Sequence, residues 1–177
     1  IASCLVGSEM CIRDSKMIEQ ELRDDPYAQE AFSKLLRQAI EEAAKLFDHP
    51  LKQYLLFHEF EQQVQARKLD DLPDVFAGNR HAQAYFGIFK KSLPEALGSA
   101  DEQAQEHWVK LAFSLDEMVT TSVAEHSINP QNIESDIRKK LLPLLFKECK
   151  AVGAGMDQAK AMVEWVVQVT RVGLSGL

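Results

Sequence analysis

The stretch SADEQAQEHWVKLAFSLDEMVTTSVAEH, residues 99–126, decides the fold. In it Trp108, Leu111, Ala112, Leu115, Met118, Val119 and Val123 recur at intervals of three and four, the repeat that lines one side of an α-helix. Ser99 and Glu102 have the spacing of a capping box, in which each side chain satisfies the other residue's exposed amide, so a helix is expected from there to about His126.

The same reading extends outward. Tyr85, Phe86, Ile88 and Phe89 mark a helix ending near Leu93, where Pro94 stops it or starts a brief turn. Leu69 to Asn79 is a break punctuated by Pro73, Gly78 and Asn79, with one short helical turn. Before it, Leu51, Tyr54, Leu55, His58 and Val64 give a helix its apolar side, and Glu61-Gln62-Gln63 faces out. Asp25-Pro26 opens an earlier helix, with Asp capping and Pro in the first turn. Its stripe is Tyr27, Ala31, Leu35, Ala39, Ala43 and Leu46, widened by Phe32, Leu36 and Ile40. Asp48-His49-Pro50 ends that helix and starts the next.

Toward the C-terminus, Asn129-Pro130 repeats the cap-then-proline device. Ile133, Ile137, Leu141, Leu144 and Leu145 continue a helix that Pro143 should bend or split, because proline removes one backbone hydrogen bond. Gly153 and Gly155 mark a loop and Asp157 is the expected cap of a last helix. Ala161, Met162, Trp165, Val166, Val169 and Val172 form its stripe, ended by Gly173. With no alternating strand pattern and no repeat, the expectation is an all-α, irregular bundle of about six main helices.

At the N-terminus, LVGSEMCIRDS (Leu5 to Ser15) resembles the translation of a sequencing-library adaptor over all eleven residues. Ile1 to Val6 is too short for the apolar core of a signal peptide, and no basic segment precedes it. The resemblance implies that residues 1–15 are an adaptor-derived, disordered tail. Residues 16–177 are then expected to form a single helical domain, the C-terminal fragment of a larger protein.

A hydrophobic content of 46% with 27% charged residues is that of a globular chain. The net charge of -7 argues against a duplex-binding surface, which needs clustered Lys and Arg. Setting the tail aside removes Cys4 and Cys11 and leaves Cys149, so neither a disulfide framework nor a thiolate metal site is available. That fits a reducing cytoplasm, and no apolar run is long enough to span a membrane.

Each pattern that could carry chemistry has a structural counterpart. His58-Glu59 begins like a zinc-protease HExxH, but Gln62 stands where the second histidine belongs. His49, His58, His81, His107 and His126 are scattered, and none follows an Asp or Glu at the spacing of a di-iron bundle. Glu148-Cys149-Lys150 has the Glu-x-Lys form of metal-dependent nucleases without a strand hairpin to position it, and reads as a solvated helix end. Cys149 has no base beside it for nucleophilic work. Asp116-Glu117 resembles half of a Walker-B pair, yet lies inside a helix with no phosphate loop before it. Tyr85, Phe86 and Phe89 suit a core better than a partner face. Arg138-Lys139-Lys140 with Arg171 could touch phosphate, but such runs are usually solvated helix faces. No catalytic, cofactor-binding or metal residue is assigned.

Two blocks carry a family resemblance. They are LFDHPLKQYLLFHEFEQQVQARKLDDLPDVFAGNRHAQAYFGIFKKSLPE (46–95) and EHSINPQNIESDIRKKLLPLLFKECKAVGAGMDQAKAMVEWVVQVTRVGLS (125–175), the latter with its Thr-Arg-Val-Gly-Leu ending. Both resemble the helical C-terminal region of the restriction (R) subunit of type I restriction-modification enzymes. The resemblance implies a parent that is an ATP-dependent DNA translocase and endonuclease, using ATP and Mg2+ in a nuclease domain and helicase-like lobes whose motifs match no position here. It implies partners, namely the methyltransferase (M) and specificity (S) subunits, with DNA met through the parent complex. This chain would be the assembly domain that docks the motor subunit onto the methyltransferase core, without turnover of its own. Two alternatives stay open: a helical interaction or regulatory domain of another large ATP-dependent DNA enzyme, and an orphan helical bundle.

Overall fold

A computed structural model describes residues 2–45, 49–126 and 129–175. Among them there are eight α-helices and no strand: α1 (Ala2–Glu21), α2 (Pro26–Lys45), α3 (Pro50–Ala66), α4 (Arg80–Ser92), α5 (Pro94–Gly98), α6 (Glu102–Glu125), α7 (Pro130–Ala151) and α8 (Met156–Ser175). One 3-10 turn, Asp74–Phe76, lies in the break before α4. The all-α architecture is as the periodicity dictates. The chain divides into two compact units, residues 1–75 and 76–177.

The first unit is built from α1, α2 and α3. Its core brings Ile18 and Leu22 together with Ala28, Phe32, Leu36, Ala39 and Ala43 of α2 and Phe57, Phe60 and Val64 of α3. Phe32 and Phe60 meet edge-on with ring centroids 6.2 Å apart, a favourable aromatic geometry. Asp25 caps α2 as expected, accepting from the Ala28 amide at 2.9 Å. Residues 2–15 continue as helix into 16–21, where a disordered tail was expected. No proline interrupts that segment, and Ile18 and Leu22 anchor its far end in the core. The helix leaves the adaptor likeness of Leu5 to Ser15 untouched.

The stripes of α2 and α3 need correction. Leu35 and Ile40 stay exposed while Ala28, Phe32 and Leu36 are buried. Of the expected apolar side of α3, Val64 is buried but Leu51, Tyr54, Leu55 and His58 face outward, and Phe57 and Phe60 complete the buried side. Leu46 and Asp48 lie outside the described residues.

The second unit packs α4 against α6 and α8, and α7 against both α6 and α8. Its core includes Tyr85, Phe86, Ile88 and Phe89 of α4, Trp108, Leu111, Leu115 and Val119 of α6, Ile133, Ile137, Leu141 and Leu145 of α7, and Met162, Val163, Val166 and Val167 of α8. Asn79 caps α4 through Ala82, and Asn129 caps α7 through Gln131. Three local expectations fail, at Ser99, Gly173 and Asp157. The Ser99–Glu102 box does not form: Asp101 caps α6 through Ala104, and the Ser99 hydroxyl instead donates to the Glu95 carbonyl at the end of α5. Helix α7 is not split at Pro143, which lies inside it, and α8 runs on through Gly173 to Ser175. Asp157 falls inside the first turn of α8 rather than before it.

The turn after α7 closes on a left-handed glycine. Gly153 is left-handed (φ +77°), its N–H donates to Lys150, and the Ala154 N–H reaches back to Cys149 at 2.8 Å. That double closure is a Schellman motif. The end of α3 repeats it with Arg67 in the left-handed place (φ 50°): Arg67 N–H donates to Val64 and Lys68 N–H to Gln63.

Among the described residues, no helix is long and apolar enough to cross a membrane.

Candidate functional site

The strongest convergence of ligating groups lies between α6 and α7. Glu125 is the last residue of α6, His126 follows it, and Asp136 comes from α7. One ligand atom of each lies within 4.8 Å of the others, a spacing that could hold a divalent cation. Lys140, one turn beyond Asp136, reaches into the same cluster. Its Nζ is 2.6 Å from Asp136 Oδ2 and 3.1 Å from Glu125 Oε2, and it donates to the Ser122 hydroxyl at 3.3 Å. The Lys140 ammonium and the Ser122 hydroxyl hold the Asp136 carboxyl below its ordinary range, while Asp136 and Glu125 hold Lys140 above its own. The chain thus supplies its own cation, and a metal would have to displace it.

Of the basic residues singled out by sequence, Arg138, Lys140 and Arg171 are likewise engaged, while Lys139 is exposed with no ion pair among the described residues. Arg138 makes two contacts to Glu164 of α8, 2.7 and 2.9 Å, and a third to Glu134 at 3.3 Å. Arg171 donates to both oxygens of Glu134 at 2.6 and 2.8 Å. Arginine forks match carboxylates in this two-point manner. The guanidiniums hold Glu134 and Glu164 below the usual carboxylate range. A phosphate would have to compete with these intramolecular partners, so the pattern ties α7 to α8.

Asp116, the first half of the Walker-like pair, receives a hydrogen bond from the Asn79 side chain at 2.9 Å, and His81 Nδ1 lies 3.5 Å away. It fastens the start of α4 to α6. Tyr85, Phe86 and Phe89 are buried as core, and burial pushes the Tyr85 phenol well above its ordinary range. Glu148 pairs with His107 of α6 at 2.8 Å. Cys149 beside it is wholly buried, and burial first, then Glu148, pushes its thiol up, opposite to the shift a nucleophile needs. His58 lies by Glu61 and Gln62 on α3, while His49 precedes α3 without a side-chain capping bond.

Sequence reasoning missed two features of the first unit. One is a buried polar knot. The Arg67 guanidinium, 7% exposed as a residue, donates to Asp24 at 2.7 Å and to the Glu21 carbonyl at 2.5 Å. Asp25 is also buried, and desolvation lifts its carboxyl to about 6 against the lowering effects of the Ala28 amide and Arg67. Nearby, Tyr27 donates to Asp71. Asp24-Asp25 before a proline advertises a cap, and nothing local announces a partner 43 residues on. The other feature is the outward apolar line of α3. Leu51 is 71%, Tyr54 56% and Leu55 48% exposed.

No protein-family model matches the chain, and no curated protein or solved structure matches it either.

Proposed function

We propose that this chain is the helical assembly domain of the R subunit of a type I restriction-modification enzyme, acting in the cytoplasm to dock the motor subunit onto the methyltransferase core. In this reading it performs no turnover itself. ATP and Mg2+ serve other parts of the parent, and DNA is met through the assembled complex. The observation that carries the reading is how the charged residues are used. Within the second block of family resemblance, Arg138, Lys140 and Arg171 are bound to Glu134, Glu164, Asp136 and Glu125, so they act as fasteners between helices. A helical body braced in this way suits a scaffold between subunits better than a cleft for chemistry.

The test is co-purification. Tagged chain is mixed with the M and S subunits of its own system and analysed by size-exclusion chromatography. Co-elution with the methyltransferase core, with no ATP hydrolysis by the chain alone, is the expected result. Separate elution at micromolar concentrations of all components overturns the reading, as does ATPase activity in the isolated chain.

A further inference from the structure

Helix α3 is apolar on two opposite sides. Phe57, Phe60 and Val64 fill the core of the first unit, so Leu51, Tyr54 and Leu55 are not needed there. Their spacing of three and four, continued by His58, draws one line along the outer side of the helix. Tyr54 and His58 stack with ring centroids 5.8 Å apart and planes 8° from parallel, so the tyrosine is already ordered on the surface. A single exposed leucine calls for no explanation, but a contiguous line of large apolar side chains on one helix marks a contact surface.

Charge decides what would cover it. Lys52 and Glu59 are both exposed, lie two turns apart along the same flank of the line, and have no ion-pair partner among the described residues. We propose that this side of α3 pairs with the same side of a second copy of the chain, antiparallel, about a two-fold axis opposite Leu55. The symmetry sets the register. Reversing the helix direction brings Lys52 of one copy beside Glu59 of the other, and the two-fold repeats the contact. In a parallel pair the two-fold places the flank carrying Lys52 and Glu59 on opposite edges of the seam in the two copies, so these charges do not meet. The apolar line offers roughly a few hundred Å2 per copy, less than the roughly 800 Å2 per partner of a standard stable interface. The dimer is therefore weak and reversible. This pairing involves the first unit alone and does not rest on the functional reading above.

Sedimentation velocity of the whole chain, from about 5 to about 500 µM, tests it directly. A concentration-dependent monomer–dimer equilibrium is expected. Leu55→Asp should weaken it at least tenfold while leaving the helical circular dichroism unchanged, because Leu55 lies outside the core. Lys52→Glu and Glu59→Lys should each weaken it several-fold. An equimolar mixture of those two single variants should regain the affinity, because the mixed dimer restores both charge contacts, and the double variant should regain it for the same reason. A chain that stays monomeric throughout overturns the proposal. So does a dimer indifferent to Leu55→Asp, and a loss on charge reversal that neither the mixture nor the double variant repairs.

Discussion

Arg67 ends α3 in a left-handed backbone conformation while its guanidinium holds the carboxylate of Asp24 at 2.7 Å. Two costs meet at one residue. A side chain other than glycine is strained at φ 50°, and a buried cation needs full compensation. The bonds to Asp24 and to the Glu21 carbonyl supply part of that compensation and cross-link the end of α1 to the end of α3.

Arg67→Ala should therefore destabilise the first unit by about 3 kcal/mol, since it leaves buried carboxylates without their cation. Arg67→Gly loses the same bonds but relieves the left-handed strain, so it should be the milder variant by about 1 kcal/mol. Amide exchange across α2 and α3 reads both numbers. Equal exchange in the two variants would show that the backbone conformation carries no strain.

Asp25 gives the first unit a pH dependence of known sign. Its folded-state carboxyl titrates at about 6, above the ordinary value of 3.8, so the folded form binds the proton more tightly than the unfolded chain. Stability is full below about pH 4, declines as pH rises toward 6 and is level above that, over a range of up to about 3 kcal/mol. Asp25→Asn keeps an acceptor for the Ala28 amide and removes the titration. It should flatten this part of the profile and raise stability at pH 7. Asp14, raised by its burial and by Glu61, contributes in the same direction, so the comparison with wild type isolates Asp25. A profile unchanged in Asp25→Asn would contradict the assignment.

Pro143 lies inside α7 with an exposed side chain. It costs the helix one backbone hydrogen bond and contributes nothing to the core. Pro143→Ala should stabilise the second unit by up to about 3 kcal/mol, visible as a higher midpoint in denaturant by the fluorescence of Trp108 and Trp165. A lower midpoint would mean that the ring makes contacts essential to the packing of α7.

Glu134 receives both Arg138 and Arg171. The network lies at the surface, so its net worth is small despite its short distances. Glu134→Gln should cost no more than about 1 kcal/mol at low salt, and the difference should shrink in molar salt as the charges are screened. A cost of several kcal/mol that persists in high salt would place this cluster among the buried determinants of the fold.

Where one side of a helix alone is apolar, the sequence identifies the buried side, as in α6 with Trp108, Leu111, Leu115 and Val119. It fails for α3, because Leu51, Tyr54 and Leu55 repeat with the same period as the core side and periodicity has no means of choosing between them. Caps were legible where a single candidate precedes a proline, as at Asp25 and Asn129. Before α6 two candidates compete, and Asp101 takes the place expected of Ser99 because it stands directly ahead of the first helical residue. Gly173 alone cannot stop a helix, since glycine only lowers helix propensity. Among the charges, pairs four residues apart such as Asp136 with Lys140 are readable in principle. The bond from Arg171 to Glu134, 37 residues away in sequence, exists only once α7 and α8 lie side by side. The candidate cation cluster was hidden for the same reason, its ligands being split between the end of α6 and the middle of α7.

The turn at residues 152–155 has a consequence for the order of assembly. It joins α7 and α8 through four residues, so the pair can form from contacts near in sequence, at little loop-closure cost. By contrast, α8 meets α4 only across the whole of α5, α6 and α7. Folding of the second unit should then proceed from a C-terminal helical hairpin that forms early to a slower capture of α4, with the rate of the whole set by that long-range search.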